Sequence, residues 1–196
     1  MIAFVRGQFV YKTPAIVHVE AGGVGYELLI SLNTYSQIQH LEQGILHTHL
    51  HIREDAHVLY GFAELAEKEL FLQLTSVSGV GAATARMMLS SLKPDELATA
   101  IAQEDTRQLE RIKGIGKKSA ERIVLELKDK MKRFRPADNN NIPALKSNSL
   151  EQDALNALIA LGIARNVAET SIQRVLKTEP ALTAVEEVIK KALKTL

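Results

Sequence analysis

The chain has 196 residues, with 24 Lys and Arg against 23 Asp and Glu, and a formal net charge of +1. It contains no cysteine, which excludes disulfide scaffolds, thiol nucleophiles and cysteine-ligated zinc or iron–sulfur sites. No apolar run reaches the roughly 18 residues of a transmembrane helix, and the first residues alternate too strongly for a signal peptide, so we expect a soluble cytoplasmic protein.

Residues 1–62 have the pattern of a small β-domain. Apolar and polar residues alternate at a period of two, most clearly where Tyr26, Leu28 and Ile30 share one face. A Gly-Gly pair and other turn signals separate the alternating stretches. The predicted strands cover residues 1–10, 14–21, 24–32, 45–53 and 56–62. Five or six short strands in so short a segment indicate a barrel or a sandwich, of which we favour a compact β-barrel.

Between residues 63 and 135 the apolar period changes to that of amphipathic helices. The predicted helices are Glu64–Leu74, Ala82–Leu92, Pro94–Gln103, Thr106–Arg111 and Lys117 to about Lys132. Charge is concentrated at the end of this region, because Arg107–Arg135 carries 11 basic and 4 acidic residues, a local charge of +7. The near-neutral total therefore conceals a basic surface suited to a polyanion.

The last third of the chain predicts a linker followed by a small helical domain. Residues 136–149 are rich in Asn, Pro and Ser, which is typical of a flexible linker. Three helices are predicted beyond it, with Gly162 at the C′ position of the first and Pro180 between the last two. They cover Leu150–Leu161, Val167–Leu176 and Thr183–Leu193. Acidic and basic residues balance here, so we expect a partner other than a polyanion.

A ten-residue motif occurs twice at a spacing of 35 residues, at Val77–Arg86 and at Ile112–Glu121. Each copy places Gly-apolar-Gly between two predicted helices. The glycines permit positive φ and close approach of the backbone, and the free N–H groups that start the next helix form an anion site. The residue between the glycines, Val80 or Ile115, is expected to face inward. This is the helix-hairpin-helix signature, which holds a backbone phosphate without reading a base.

The two motifs define the predicted phosphate-binding residues. These are Gly79, Val80, Gly81, Gly114, Ile115, Gly116, Lys117 and Lys118. Ala82 and Ala83 stand where the second motif has its two lysines, so the second hairpin should contribute more of the salt-dependent affinity. A plain helix cap is the alternative for one Gly-x-Gly, but two matched copies favour phosphate binding. The second motif is not a Walker A loop, because Arg111 occupies the position of its first glycine.

Two polar features lie in the β-region. Glu54 and Asp55 are adjacent carboxylates on a turn between predicted strands; this is either a plain polar turn or, in a DNA-binding protein, a feature that repels phosphates and keeps duplex arms apart. Two neighbouring acids without a third rarely form a two-metal site. His47, His49 and His51 share one strand face, about 6.8 Å apart along the strand. That spacing favours half-buried or solvent-facing histidines over a metal site.

In combination these motifs resemble the RuvA family of bacterial Holliday-junction-binding proteins. The resemblance rests on the N-terminal MIAFVRG, on GGVGY, on REDAHVLYGF at 53–62 and on the two hairpins with KGIGKKSAER, in the same order over the whole chain. It implies a multidomain α+β protein. Its parts are an OB-type β-barrel (1–62), a tandem helix-hairpin-helix domain (63–135), a flexible linker (136–149) and a three-helix UBA-like domain (150–196).

The resemblance further implies a homotetramer, or two stacked as an octamer, that holds four-way DNA junctions open during recombination, DNA repair and the SOS response to DNA damage. It implies no catalytic site and no cofactor, since ATP and Mg are used by the partner ATPase RuvB; the RuvC resolvase is a further expected partner. The family's acidic pin falls on Glu54 and Asp55. RuvB contact is expected at three apolar residues that are alternatively domain core: Leu158, Leu161 and Ile163. Ala83 departs from the basic residue that many members carry.

Two other functions remain open on the residues alone. A helix-hairpin-helix glycosylase or nuclease would need a Lys nucleophile or a catalytic Asp in a base pocket, whereas the helix after the second hairpin has a plain amphipathic pattern. A single-strand-binding OB domain would use aromatic platforms. Five Phe, four Tyr and no Trp are a small supply for that purpose.

Overall fold

The computed structural model describes residues 1–132, 134, 149–179 and 182–195, and these divide into two compact units, one up to residue 134 and one from residue 149 onward. The first unit contains both the β-region and the first helical region, so these two regions pack together. Within the described ranges, no helix is long and apolar enough to cross a membrane.

Five strands form a closed barrel, as the period-two pattern predicts. They are β1 (Phe4–Lys12), β2 (Ile16–Ala21), β3 (Val24–Leu29), β4 (Gln43–Ile52) and β5 (His57–Phe62). Their order around the barrel is β1-β2-β3-β5-β4. Neighbours are antiparallel except β3 and β5, which are parallel. Gly22 and Gly23, with φ of +63° and +85°, form the β2–β3 turn.

A short helix, α1 (Leu32–Ile38), follows the third strand where the sequence predicts more strand, and β3 ends at Leu29. Ser31 caps α1, because its Oγ accepts a hydrogen bond from the Thr34 N–H at 3.0 Å. At the other end, the Lys12 amino group donates to the carbonyl oxygen of Gln39 at 3.0 Å. The local N-cap and the lysine together stabilise a helix of only seven residues.

The helical part of the first unit agrees with prediction to within about two residues at each helix end. Its helices are α2 (Leu65–Thr75), α3 (Ala82–Ser91), α4 (Pro94–Ala102), α5 (Thr106–Glu110) and α6 (Lys117–Met131). Pro94 occupies the first turn of α4, where its missing N–H costs nothing. Tyr60 and Phe62 of β5 point out of the barrel and pack against Phe71 of α2, with ring centroids 4.9 and 5.0 Å apart. The barrel wall is thus part of the helical core.

Hydrogen bonds fasten the helices to the barrel. The buried Glu67 carboxylate of α2 accepts hydrogen bonds from the hydroxyls of Ser31 and Thr34, the latter at 2.6 Å. Burial raises the pKa of Glu67 above its usual 4.5. Helix α3 is held by the α1 residue Asn33, whose Nδ2 donates to the carbonyl oxygens of Leu89 and Leu92. These bonds leave little freedom between the barrel and α3.

The α3 helix has two further links to the β-region. The N–H of Leu32 donates to Ser90 Oγ at 3.1 Å. Arg86 of α3 donates through Nη1 to the carbonyl oxygen of Ala15, also at 3.1 Å. The helix that follows the first Gly-x-Gly motif is therefore attached along most of its length.

The second unit is the predicted three-helix domain, with α7 (Ser149–Ala160), α8 (Arg165–Thr178) and α9 (Val185–Lys194). Gly162 follows α7 with φ +87°, as its predicted C′ position requires. The predicted linker 136–149 lies outside the described residues except for Ser149, which begins α7, and Pro180 also lies outside them.

Candidate nucleic-acid interface

The 35-residue sequence repeat is a structural repeat. In the first copy the Val80 N–H donates to the Val77 carbonyl oxygen at 3.0 Å, and Gly79 has φ +88°. In the second, the Ile115 N–H donates to the carbonyl oxygen of Ile112 at 3.0 Å, and Gly114 has φ +92°. The same tight turn thus joins α2 to α3 and α5 to α6. In each copy the first glycine supplies the left-handed conformation that other residues adopt only with strain.

The apolar residue between the glycines anchors each hairpin. Val80 and Ile115 are each 5% exposed and belong to the core that the two hairpins share. The predicted inward orientation is confirmed. Because their N–H groups are already bonded within the turns, Val80 and Ile115 hold the hairpins in place and leave donation to a ligand to their neighbours.

The second glycine of each motif caps the following helix. Gly81 has φ −80° and ψ 166°, and Gly116 has φ −93° and ψ 169°, which any residue can adopt. A Cβ atom at either position would meet nothing within 4 Å. The fold itself therefore does not require glycine at these two positions. The absence of a side chain leaves the backbone at both caps open to close approach by a group from outside the chain.

Free backbone donors surround these two caps. The N–H groups of three successive residues in each hairpin have no acceptor among the described residues. They belong to Gly81, Ala82 and Ala83 in the first hairpin and to Gly116, Lys117 and Lys118 in the second. Unbonded N–H groups at a helix N-terminus, aligned with the helix dipole, form an anion site. Each hairpin thus presents backbone donors and the positive end of a helix dipole, a combination that suits an anion.

Different side chains supply positive charge to the two hairpins. Lys117 and Lys118 are exposed and form no ion pair within the described part of the chain. In the first hairpin their counterparts are alanines, of which Ala82 is buried. Arg122 of α6 lies beside that hairpin, and its Nη1 donates to the Ser78 carbonyl oxygen at 3.1 Å. The second hairpin's helix therefore supplies the first hairpin with a guanidinium.

Arg122 was not predicted from the sequence, because it lies 44 residues from Ser78 and outside the ten-residue motif. Two sequence signals include it, because Arg122 lies within the basic stretch and ends the KGIGKKSAER motif. Its contact also brings the two hairpins side by side on one compact unit. This hydrogen bond links the helix of the second hairpin to the loop of the first.

The two predicted acidic residues lie on the barrel. Glu54 and Asp55 are exposed in the β4–β5 turn, which closes through a hydrogen bond from the Arg53 N–H to the Ala56 carbonyl oxygen at 2.9 Å. Neither carboxylate forms an ion pair within the part of the chain that the structure describes. Two unpaired negative charges on a projecting turn repel phosphate.

The histidines of β4 lie half-buried on its outer face, as predicted. The rings of His49 and His51 are 6.4 Å apart, and His49 contacts the ring of Phe71. Burial, and then the nearby charge of Lys68, lower the pKa of His47; burial, then His51 and Lys68, lower that of His49. Over the described ranges, no group of three His, Asp or Glu side chains could hold a metal ion.

The predicted contact residues of the C-terminal unit separate into core and surface. Leu158 is fully buried, so it belongs to the domain core, the alternative that the sequence left open. Leu161 is 64% exposed beside Gly162. Ile163 is half-buried and packs against the core. Leu161 and the outer side of Ile163 are therefore accessible to a partner, and Leu158 is not.

Comparison with known proteins gives matches along the whole chain. The RuvA N terminal domain model matches residues 1–61, the SAM-like Helix-hairpin-helix tandem model residues 71–129, and the RuvA, C-terminal domain model residues 149–196. Two similar curated proteins are each named Holliday junction branch migration complex subunit RuvA. That of Cytophaga hutchinsonii is 47% identical, over 99% of each chain. That of Christiangramia forsetii is 46% identical, over the full length of both.

Proposed function

The chain belongs to the RuvA family, and on that premise we propose that it binds four-way DNA junctions as a homotetramer, holds them open and recruits the ATPase RuvB for branch migration. We assign this activity to DNA recombination and DNA repair in the cytoplasm, including the SOS response. The RuvC resolvase is a further expected partner. The observation that carries the proposal is the pair of hairpins. Their glycine caps leave open space, and their backbone N–H groups have no acceptor among the described residues.

The hairpins bind backbone phosphate rather than bases. A phosphate above Gly116 accepts hydrogen bonds from the backbone N–H groups at the start of α6, and the lysines at 117 and 118 add charge. The first hairpin does the same with N–H groups and the guanidinium of Arg122. Contacts of this kind fix the position of a duplex but carry no sequence information. Specificity for a junction must therefore come from the arrangement of several copies, four of which match four arms.

The acidic turn acts at the crossover point. Four copies around one axis bring together the two carboxylates of each copy, Glu54 and Asp55. Because these groups form no ion pair in the described residues, their charge remains available to repel the phosphates of the arms. The arms are then kept open and square, and strands are guided apart at the centre.

Energy for branch migration comes from the partner. The chain has no Walker A loop, since Arg111 stands in place of its first glycine. We therefore assign the use of ATP and Mg to RuvB, and we assign neither a catalytic site nor a cofactor to this chain. The C-terminal unit offers the exposed Leu161 and the adjoining Ile163 as the contact with RuvB.

A binding competition tests the proposal. Purified protein is mixed with a labelled four-way junction and excess unlabelled junction, duplex or single strand, while light scattering gives the mass of the protein. We expect a tetramer that prefers the junction over both competitors. Equal affinity for single strands would instead support a single-strand-binding barrel, and cleavage of DNA without RuvB would contradict a non-enzymatic role.

Two double variants assign the binding to the hairpin. Lys117→Ala/Lys118→Ala removes two charges beside the second hairpin, whereas Lys177→Ala/Lys190→Ala removes two exposed charges from the C-terminal unit. We expect only the first variant to lose junction affinity. An equal loss in both would mean that total charge, and not the hairpin, governs binding.

A further inference from the structure

Glu67 is a buried carboxylate that neither the hairpins nor the acidic turn uses. It lies in the first turn of α2 and is 1% exposed. Within the described part of the chain it forms no ion pair with a lysine, arginine or histidine. Removal of a carboxylate from water is costly unless other groups stabilise its charge, so its surroundings must supply that stabilisation.

Two hydroxyl groups direct their hydrogens at this carboxylate. Ser31 Oγ accepts a hydrogen bond from the Thr34 N–H at 3.0 Å, and Thr34 Oγ1 accepts one from the Ala63 N–H at 3.1 Å. A hydroxyl that accepts from a backbone N–H keeps its own hydrogen for a different acceptor. Ser31 therefore donates to Glu67 Oε1, and Thr34 donates to Oε2 at 2.6 Å.

The helix that carries the carboxylate also favours its charge. Glu67 is the third residue of α2, and the N-terminal end of a helix attracts negative charge. Burial raises the pKa of Glu67; the hydrogen bonds from the two hydroxyls lower it, and the nearby charge of Glu64 raises it. The hydroxyls and the helix end thus take the place of a cation, and they do so only while α2 keeps its present direction.

This network lies where the chain passes from the barrel to the helical region. Ser31 and Thr34 belong to the segment that follows β3, and only Ala63 and Glu64 connect β5 to α2. The hydrogen bonds of Glu67 and Thr34 thus join the chain after β3, the chain after β5 and the first turn of α2. A connection of two residues does not by itself fix the direction of a helix, whereas this network holds its first turn against the barrel.

The direction of α2 matters because α2 leads directly into the first hairpin, while the barrel carries the acidic turn. Asn33 and Arg86 hold α3, the helix after this hairpin, and Glu67 holds the helix before it. Both helices belong to the core that the two hairpins share. A tilt of α2 would therefore move the hairpins together, relative to the acidic turn.

We infer that Glu67 is a positioning residue for junction binding: its carboxylate fixes the direction in which α2 leaves the barrel, and hence the place of the hairpins relative to the acidic turn. A four-way junction engages the hairpins and the turn together, so it needs them in a fixed relation. A plain duplex engages the hairpins alone and does not. The inference rests on the proposed function and names a residue too deeply buried to contact DNA.

The ratio of junction affinity to duplex affinity tests this role in the full chain. Glu67→Ala removes the acceptor of both hydroxyls. Glu67→Gln retains both contacts, because the amide oxygen accepts from one hydroxyl and the amide N–H donates to a lone pair of the other. Thr34→Val keeps the shape of the side chain and removes one hydroxyl. Val17→Ala, in the barrel core, is the control for lowered stability. Thermal unfolding and light scattering give the stability and the mass of each protein.

We expect Glu67→Ala to weaken junction binding roughly tenfold, the effect of about one lost hydrogen bond to a phosphate, and to change duplex binding by less than about twofold. Thr34→Val should show a smaller loss of the same kind, and it decides the question if Glu67→Ala does not fold. Glu67→Gln and Val17→Ala should keep the wild-type ratio.

The other outcomes overturn the inference in distinguishable ways. If folded Glu67→Ala keeps the wild-type ratio, or loses junction and duplex affinity equally, the carboxylate does not position the hairpins, and the proposed function stands. An equal fall of the ratio in Val17→Ala traces the loss to stability, and a reduced mass in Glu67→Ala traces it to assembly. If Glu67→Gln binds as weakly as Glu67→Ala, the hydroxyl contacts are not what matters. A wild-type protein without preference for the junction overturns the proposed function itself.

Discussion

Replacement of Gly116 by alanine tests whether the fold or a bound ligand requires glycine at this position. The backbone at Gly116, φ −93° and ψ 169°, suits alanine, and the added Cβ meets nothing within 4 Å. Alanine gains about 0.4–1 kcal/mol of unfolding free energy by restricting the unfolded chain. It loses roughly 0.5 kcal/mol as a poorer helix cap. The two effects offset each other, so we expect the unfolding free energy to change by less than about 0.5 kcal/mol.

Junction binding should respond much more strongly. In the proposed complex, the new methyl group would occupy the space through which a phosphate approaches the N–H groups of residues 116–118. A hydrogen bond to a charged group contributes about 1.5–3 kcal/mol. Loss of one such bond would weaken binding roughly 10- to 100-fold, at 1.4 kcal/mol for each factor of ten. Fluorescence anisotropy with a labelled four-way junction at fixed salt measures this loss.

Gly114→Ala is the matched comparison, because Gly114 has φ +92° and alanine there is strained by on the order of 1–3 kcal/mol. It should lower the melting temperature, whereas Gly116→Ala should not. If Gly116→Ala binds the junction as tightly as the wild type, no phosphate approaches this cap. If it unfolds as readily as Gly114→Ala, the fold and not a ligand requires the glycine, and the reasoning fails.

The remaining predictions concern the salt dependence of binding, the guanidinium of Arg122 and the pH dependence of stability. Lys117→Ala/Lys118→Ala should lower the slope of log affinity for the junction against log salt concentration by about 0.9 for each phosphate that the variant no longer neutralises. An unchanged slope in an anisotropy titration would show that these lysines do not contact the DNA. Arg122→Gln should weaken junction binding while leaving the melting temperature nearly unchanged; a large drop in melting temperature would make Arg122 a purely structural residue. Burial raises the pKa of Glu67, so the folded state holds its proton more tightly than the unfolded state, and stability due to this group falls as pH rises from about 4.5 through the raised pKa. Glu67→Gln should therefore gain stability relative to the wild type over that range in urea unfolding, and a difference that does not vary with pH would contradict the assigned shift.

Sequence patterns predicted the features that depend on near neighbours along the chain. The strands of the barrel and the amphipathic helices followed from their periods, and the two hairpins followed from a motif in which every contact spans a few residues. The helix α1 was missed because the apolar residues of the preceding strand continue through Leu32, while its N-cap, Ser31, is a local signal that a strand pattern conceals.

Features that depend on distant pairs could not be predicted in this way. Glu67 is a surface-type residue that becomes buried only because Ser31 and Thr34 meet it from the other side of the barrel–helix junction. Arg122 reaches a carbonyl oxygen 44 residues away. Leu158 and Leu161 look alike in sequence, and only the packing of three helices decides which is core.

The attachment of α3 to the β-region has a mechanical consequence. Four hydrogen bonds, from Leu32, Asn33 and Arg86, tie this helix to the part of the chain that carries the acidic turn. The distance between the turn and the first hairpin is thereby fixed by stiff bonds and not by a hinge. In the proposed complex, the spacing between the centre of a junction and its arms must therefore match a distance that these hydrogen bonds hold constant.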